Sequence, residues 1–87
     1  IHGNSLQSTK TNYGYTLRDK TTGKILKYGE TIHPNTRYSK TFLIKNNTEM
    51  IIETQGTKIN IHIWQHQKIL EYIVKFGVRP IWNKSNW

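Results

Sequence analysis

The length of the chain is the strongest constraint on its fold. Its 87 residues contain no cysteine, so one small apolar core has to hold the structure together without disulfides or thiolate-bound zinc. No apolar run approaches the roughly 18 residues of a membrane-spanning helix, so we expect no membrane partner. Residues 1–12 are polar and lack the apolar region of a signal peptide. We expect a flexible linker or tail there, followed by a single domain over residues 13–87.

The charge of the chain is strongly positive. Thirteen lysine and arginine residues oppose five acidic residues, which gives a formal net charge of +8 at pH 7. Such a density attracts polyanions through counterion release, so nucleic acid is the first partner to consider. A basic surface that only maintains solubility is the alternative. A metal bound by carboxylates must use the five acids, which are Asp19, Glu30, Glu49, Glu53 and Glu71.

The first half of the domain has the pattern of a β-hairpin followed by a helix. Residues 13–19 alternate apolar with small or polar side chains, residues 20–24 supply a turn, and residues 25–28 form a second apolar run before Gly29. Pro34 suits the first turn of a short helix. That helix is expected to carry Arg37, Tyr38, Phe42 and Leu43.

The second half predicts one more strand and a long helix. Residues 50–52 are apolar and the run ends at Gly56. Residues 59–75 have helical spacing, with Gly77 as a stop signal and Pro80 beyond it. The apolar side of this helix is expected to consist of Ile59, Ile63, Leu70, Ile73 and Val74. The order strand, strand, helix, strand, helix predicts an α+β fold in which helices flank a small three-stranded antiparallel sheet.

Two short triplets and two later motifs stand at characteristic spacings. Tyr-Gly-Tyr occupies residues 13–15 on the first strand, and Lys-Tyr-Gly occupies residues 27–29 at the end of the second. An arginine, Arg37, follows the glycine of the second triplet by eight residues (37 − 29 = 8). On the long helix a Leu-Glu pair at residues 70–71 is followed by Pro80, nine residues after the glutamate, and then by Asn83.

These motifs, which cover residues 13–83, resemble those of the GIY-YIG endonuclease superfamily. In that family a Gly-x-Tyr triplet, a Tyr-x-Gly triplet, an arginine and a helical glutamate occur in this order. The resemblance implies hydrolysis of phosphodiester bonds with a divalent metal, Mg²⁺ or Mn²⁺. It also implies a sheet and a first helix that together line a basic groove for nucleic acid.

The resemblance assigns the central chemistry to Tyr15, Arg37 and Glu71. Tyr15 would orient or deprotonate the attacking water, and Arg37 would bind the phosphate oxygens with its planar donors. Glu71 would hold the metal beside the leaving oxygen, because a hard cation prefers oxygen ligands. We expect these three side chains to meet around one phosphate.

Further residues are expected to contact the substrate. Lys27 and Tyr28 would contact the scissile phosphate as part of the catalytic set. Asn83 would fix the metal shell or the substrate through hydrogen bonds, and His33 and Lys40 would bind the substrate.

The chain departs from the family pattern at three positions. Tyr13 replaces the leading glycine of the first triplet, and Glu30 stands where repair-type members have a basic residue. Lys27 replaces the first tyrosine of the second triplet, so the route of proton transfer differs from that of the family. A lysine at this position can still bind a phosphate oxygen as a point charge or take part in proton transfer.

Several residues that could serve chemistry or binding also have a purely structural interpretation. Glu71 could pair with Lys75 one turn along the helix, a contact worth only a few tenths of a kcal/mol. His62 and His66 have the separation of two zinc ligands, but no glutamate follows His62 as the zincin pattern requires. The tryptophans could stack on bases or close the small core, and they are Trp64, Trp82 and Trp87.

The sequence therefore predicts a metal-dependent endonuclease, with DNA slightly favoured over RNA such as a tRNA loop. The chain is similar to the toxic C-terminal domains of polymorphic and contact-dependent toxins. That similarity implies export from a producer cell, action in the target-cell cytoplasm and a cognate, acidic immunity protein. The alternative is a catalytically inactive nucleic-acid-binding module on the same fold.

Overall fold

The computed structural model describes residues 10–85. Most of the predicted tail, and Trp87, lie outside this range. The chain forms five elements in the order β1 (Asn12–Asp19), β2 (Ile25–Thr31), α1 (Lys40–Lys45), β3 (Thr48–Gly56) and α2 (Lys58–Phe76). This order confirms the predicted α+β fold. β1 begins at Asn12, whose buried side chain donates to the Lys10 carbonyl.

The three strands form one antiparallel sheet in the order β2-β1-β3. The central strand β1 faces β2 through pairs such as Thr16 and Tyr28, and β3 through pairs such as Thr16 and Ile51. The turn between β1 and β2 is fixed by the Asp19 carboxylate, which accepts hydrogen bonds from two backbone amides of the turn. Because β1 lies between the other two strands of the sheet, it is buried along most of its length.

A β-bulge interrupts the pairing of β1 with β3. Gly14 pairs with Thr54 and Tyr15 pairs with Ile52, so Glu53 is an extra residue on β3. A bulge of this kind bends the strand and interrupts the alternation of its side chains, so that Thr54 comes to the side of Gly14. Glu53, two residues after Ile51, points to the same side of the sheet as Thr16, whose hydroxyl donates to its carboxylate at 2.8 Å.

The first helix is shorter than the sequence predicts. Pro34 lies in a turn closed by a hydrogen bond from the Thr36 amide to the His33 carbonyl, and α1 begins only at Lys40. The Ser39 side chain caps this helix by accepting from the Phe42 amide at 3.0 Å. Arg37 therefore lies in a loop and not on a helix, which corrects the sequence prediction.

The long helix α2 has the predicted extent but packs through a different side. Thr57 caps its start, and Gly77 ends it in the left-handed conformation with φ of 80°. Its buried residues are Ile61, Gln65, Ile69 and Tyr72. The predicted apolar side, including Ile63 and Val74, faces away from the sheet, so that part of the prediction is wrong.

Hydrogen bonding explains why α2 presents this side to the sheet. Gln65 donates to the backbone carbonyl of Tyr28 on the edge strand β2 at 3.1 Å. Rotating the helix to bury the other apolar side would bring Gln65 away from this carbonyl. The choice between two apolar sides thus depends on a polar contact that the helical periodicity does not encode.

The segment after α2 closes the free edge of β2. The Asn83 side chain accepts from the Tyr28 amide and donates to the Tyr28 carbonyl, both at 2.9 Å. The Trp82 amide donates to the Leu26 carbonyl. Covering the edge in this way satisfies backbone groups that an open strand would present to other chains. Neither helix in the described part of the chain has the length and apolar character needed to span a bilayer.

Candidate active site

The two faces of the sheet carry different chemistry. Neighbouring side chains on a strand point to opposite faces, so Tyr15 and Thr16 are separated by β1 itself. Lys27, paired with Leu17, shares the face of Tyr15, and Tyr28, paired with Thr16, shares the other face. We call these the α1 face and the α2 face, because α1 lies beside Tyr38 on the first and α2 covers the second.

The α1 face holds a cluster of four residues, which we call the tyrosine cluster: Tyr15, Lys27, Arg37 and Tyr38. The first three are predicted catalytic residues, and Tyr38 follows Arg37 in the chain. The two tyrosine hydroxyls are 2.8 Å apart, and Lys27 donates to the Tyr38 hydroxyl at 3.3 Å. The Arg37 guanidinium lies 4.5 Å from the centre of the Tyr38 ring. The structure therefore brings three of the five predicted catalytic residues to one place.

Gly29 makes room for this cluster. A side chain at Gly29 would overlap the ring and the hydroxyl of Tyr15. The glycine of the Lys-Tyr-Gly triplet is therefore required by packing across the hairpin. It allows the Tyr15 ring to lie directly over the backbone of β2.

Tyr15 is poorly suited to act as a base in this structure. Its side chain is only 1% exposed. Burial raises the pKa of Tyr15 well above its ordinary value, and the hydrogen bond and charge of Tyr38 act in the same direction. The nearby Arg37 opposes this effect but does not outweigh it. The Tyr15 phenol thus stays protonated and shielded from solvent.

The α2 face holds an open groove between the β1–β2 hairpin and α2, here called the α2 groove. Its larger part has a volume of about 680 Å³. A smaller part of about 260 Å³ shares Arg18 and Tyr28 with it. The charged side chains that line the two parts are Arg18, Lys24, Glu53, Lys68, Glu71 and Lys75.

Arg18 is held in a fixed orientation at the junction of the two parts. Its Nη2 donates to Glu53 at 3.1 Å, and its Nε donates to the Thr16 hydroxyl at 3.2 Å. The same Glu53 oxygen accepts from Thr16. Because the guanidinium has five N–H donors in a rigid plane, these two bonds orient it while other donors can reach a ligand.

Glu71 lies on the wall of the same groove. Its carboxylate accepts from Lys68 at 3.4 Å, and its side chain is 67% exposed. Glu71 thus pairs with Lys68, three residues earlier, and not with Lys75, the partner expected if Glu71 had only a structural role. An exposed contact of this length is weak, so the carboxylate can exchange the lysine for another ligand.

Tyr28 stands between the two carboxylates. Burial raises the pKa of Tyr28, the Arg18 charge lowers it, and the charges of Glu71 and Glu53 raise it again. Tyr28 lines the larger part of the groove with Arg18 and Glu71, and the smaller part with Arg18 and Glu53. With its pKa raised overall, this phenol is protonated at neutral pH and can donate a hydrogen bond.

The five predicted catalytic residues are therefore divided between the two faces of the sheet. Tyr15, Lys27 and Arg37 lie on the α1 face, whereas Tyr28 and Glu71 line the α2 groove. The expected meeting of Tyr15, Arg37 and Glu71 around one phosphate does not occur in this structure. A tyrosine, an arginine and a glutamate do meet in the α2 groove, but the first two are Tyr28 and Arg18.

The remaining predicted substrate-binding residues lie away from both clusters or support them indirectly. His33 is exposed in the loop after β2, and Lys40 lines a shallow depression on the other side of the molecule with Lys20 and Glu49. Asn83 is buried and bonds the backbone of Tyr28, so it positions that residue.

The two histidines with the separation of zinc ligands, His62 and His66, both lie on α2. His62 pairs with Glu30 at 3.0 Å on the α2 face. Among residues 10–85, no group of three or more histidine, aspartate or glutamate side chains is placed to hold a metal ion. Of the two carboxylates in the α2 groove, Glu53 is held by Thr16 and Arg18, so a metal there would use Glu71. That donor suits Mg²⁺ or Mn²⁺, which retain waters and take further oxygens from substrate phosphates.

Two residues of the groove were missed by the sequence analysis. Arg18 could have been identified, because it alternates with Thr16 and so faces the same side as Tyr28. Glu53 could not, because its position beside Thr16 depends on the register between β1 and β3. Comparisons of the chain with protein-family models, with curated proteins and with solved structures give no match.

Proposed function

We propose that this protein is a metal-dependent endonuclease whose substrate binds in the α2 groove. The observation that carries the proposal is the position of Glu71 beside Tyr28 and Arg18 in a groove lined by lysines. This arrangement combines an oxygen ligand for a hard cation, a protonated phenol and a fixed guanidinium. These groups can stabilise charge on the phosphate and assist the leaving oxygen, which are two of the requirements of phosphodiester hydrolysis.

The charge of the groove favours a phosphate backbone. Four cationic side chains, Arg18, Lys24, Lys68 and Lys75, oppose the two carboxylates of Glu53 and Glu71. The groove is thus positive in a chain that is positive overall, and a polyanion is attracted to it from solution. Trp64 contacts the Tyr28 ring edge to face at 5.9 Å and adds an aromatic wall on which a base can stack.

Each residue has a distinct role in this proposal. Arg18 binds the non-bridging phosphate oxygens, because its orientation is already fixed by Glu53 and Thr16. Tyr28 donates a hydrogen bond or a proton to the leaving oxygen, as its raised pKa keeps the phenol protonated. Glu71 holds Mg²⁺ or Mn²⁺, which supplies positive charge and Lewis-acid polarisation when bound.

A second candidate is nucleic-acid binding without hydrolysis. It is favoured by the separation of Tyr15 and Arg37 from Glu71, because the residues that the family resemblance assigns to catalysis do not converge. Lys27 in place of the family tyrosine favours it as well. The two candidates share the α2 groove and differ only in whether a bound strand is cut.

One assay distinguishes the two candidates. Plasmid DNA and total tRNA are incubated with the protein in Mg²⁺, in EDTA, and in Mg²⁺ with the Glu71→Gln variant. The matched control is Glu49→Gln, which makes the same chemical change at an exposed residue outside the groove. We expect cleavage that is lost in EDTA and in Glu71→Gln but kept in Glu49→Gln.

The same assay shows which substrate is used. Product from plasmid alone identifies DNA, and product from tRNA alone identifies RNA. If the protein retards both nucleic acids on a gel and yields no product under any condition, the endonuclease proposal fails and the binding function stands. If it neither binds nor cuts, both candidates fail.

A further inference from the structure

The two parts of the α2 groove follow one another along helix α2. Trp64 and Lys68 line the smaller part, and Glu71, Lys75 and Phe76 line the larger part. Twelve residues separate Trp64 from Phe76 (76 − 64 = 12), which corresponds to about 18 Å along the helix axis. A single strand of several nucleotides can extend over such a length, so the groove has room for bases as well as for one phosphate.

Trp64 forms a fixed aromatic wall in the smaller part. A side chain at Gly14 would lie 2.6 Å and 2.7 Å from two atoms of the Trp64 ring, so this ring lies directly on the backbone of β1. The edge-to-face contact with Tyr28 holds the ring from another side. Because the ring is already held in place, a flat ligand can stack on it without ordering a mobile side chain.

Phe76 is the corresponding ring in the larger part. It is 55% exposed, although phenylalanine is among the residue types that are most often buried. The buried Tyr72 supports it, with 4.4 Å between the ring centres, and the Lys75 ammonium lies 5.3 Å from the centre of the Phe76 ring. Phe76 thus offers an aromatic surface beside a cation.

Arg18 lines both parts and therefore lies where they meet. Every phosphodiester group of a nucleic acid joins two nucleosides. A phosphate held by Arg18 consequently has one base on the side of Trp64 and the other on the side of Phe76. Each part also contains a lysine of α2 that can contact a neighbouring phosphate.

We propose that the substrate of the α2 groove is single-stranded nucleic acid, whose unpaired bases stack on Trp64 and Phe76 on either side of the phosphate at Arg18. Bases within a duplex are stacked on their neighbours, so their faces are closed to protein side chains unless a nucleotide is turned out. A basic groove with aromatic rings is the arrangement by which proteins bind single strands without reading their sequence. The inference rests on the proposed function, because the position of the phosphate at Arg18 comes from it.

Fluorescence anisotropy in EDTA tests the inference on the intact chain without cleavage. The labelled probes are a DNA strand of about ten nucleotides, its duplex, and a strand of equal length with abasic sites in place of its bases. We expect the single strand to bind at least about 10-fold more tightly than the other two, since it alone offers accessible base faces. Charge alone would favour the duplex, which has the higher charge density. RNA versions of the single strand and the duplex form a second arm, and the inference holds with either sugar.

Leucine variants of the two rings separate stacking from charge. Trp64→Leu and Phe76→Leu should each weaken single-strand binding by about 5-fold or more and leave binding of the abasic strand unchanged. The matched controls are Trp82→Leu and Phe42→Leu, which make the same changes in an aromatic contact on the α1 face and should leave both dissociation constants unchanged. Far-ultraviolet circular dichroism verifies that each variant is folded. The exposed Phe76 provides the test if Trp64→Leu unfolds.

Three results would overturn the inference. They are a duplex that binds as tightly as the single strand, an abasic strand that binds as tightly as the intact one, and single-strand binding that neither leucine variant weakens. Cleavage of the same probes in Mg²⁺ is scored separately. Product from the duplex alone supports the endonuclease proposal and contradicts this inference. Single-strand binding that depends on both rings, with no product in Mg²⁺, supports this inference and contradicts the endonuclease proposal.

Discussion

At the scale of single residues, neighbouring positions on β2 serve opposite faces of the sheet. Gly29 lies against Tyr15, whose ring occupies the space that a side chain would take. Tyr28, one position earlier, lines the α2 groove beside Arg18. The alternation of a strand is sufficient to separate the two tyrosines. They can therefore be tested independently.

Replacing Tyr28 by phenylalanine should impair cleavage, whereas replacing Tyr15 by phenylalanine should reduce only stability. Tyr28→Phe should lower kcat/KM for nucleic-acid cleavage by at least about 100-fold, because it removes the proposed proton donor. Tyr15→Phe should leave kcat/KM close to the wild-type value. It should lower the free energy of unfolding by about 1 kcal/mol, because it removes the hydrogen bond to Tyr38. Cleavage kinetics and urea unfolding measure the two effects.

The reverse pattern would locate the active centre on the α1 face. In that case Tyr15→Phe abolishes cleavage in a protein of normal stability, and Tyr28→Phe does not. Such a result would support the family assignment of Tyr15 over the α2 groove.

At the scale of elements, the β1–β2 hairpin shapes the entrance of the groove. Its turn is held by the Asp19 carboxylate, which accepts from the Thr21 amide at 2.8 Å and the Thr22 amide at 3.0 Å. Gly23 completes the turn with φ of 74°. Lys24, which lines the groove, follows directly. The geometry of the turn thus determines where one of the groove cations lies.

The turn should weaken as the pH falls. Hydrogen bonds from the Thr22 and Thr21 amides lower the pKa of Asp19 below its ordinary value of 3.8. A carboxyl group with a lowered pKa in the folded state stabilises the fold above pH 3.8, and this contribution is lost as the pH falls through the lower value. Urea unfolding midpoints of the wild type and of Asp19→Ala should therefore differ at neutral pH and converge as the pH drops below about 4. A difference that is constant with pH would contradict this account.

At the scale of the whole molecule, the two helices cover the sheet in different ways. On the α1 face an aromatic layer closes the core, with Tyr38 stacked on Phe42 at 5.2 Å and Phe42 against Trp82 at 6.1 Å. On the α2 face the helix stands off the hairpin and leaves the groove open. This open groove carries four cationic side chains, Arg18, Lys24, Lys68 and Lys75, and is the path that we propose for a nucleic-acid backbone.

The salt dependence of binding should reflect these cations. Lys75→Gln should reduce the slope of log Kd against log salt concentration by about 1, since one phosphate contact is lost. Lys45→Gln is the matched control, because Lys45 is exposed at the end of α1 and away from the groove. Fluorescence anisotropy with a labelled oligonucleotide in EDTA measures binding without cleavage. Equal slopes for Lys75→Gln and the wild type would show that the backbone does not pass Lys75.

Local patterns were sufficient to predict the elements and their order. The alternation in β1, the stop at Gly77 and the turn before Lys24 each depend on residues close in sequence, whose conformations follow from backbone sterics and hydrogen bonding. The predicted start of α1 was wrong because Pro34 fits a turn as well as a helix. The predicted packing side of α2 was wrong because the helix has apolar residues on both sides.

The sequence by itself determined an α+β chain with a basic surface and with a tyrosine, an arginine and a glutamate available for chemistry. Only the tertiary structure decided which of them meet. Side chains distant in sequence come together through the register of the strands, which places Glu53 beside Thr16, and through the rotation of α2 that Gln65 fixes. These are long-range contacts, and no local periodicity contains them. For that reason Tyr28 and Arg18 accompany Glu71, while Tyr15 and Arg37 lie across the sheet.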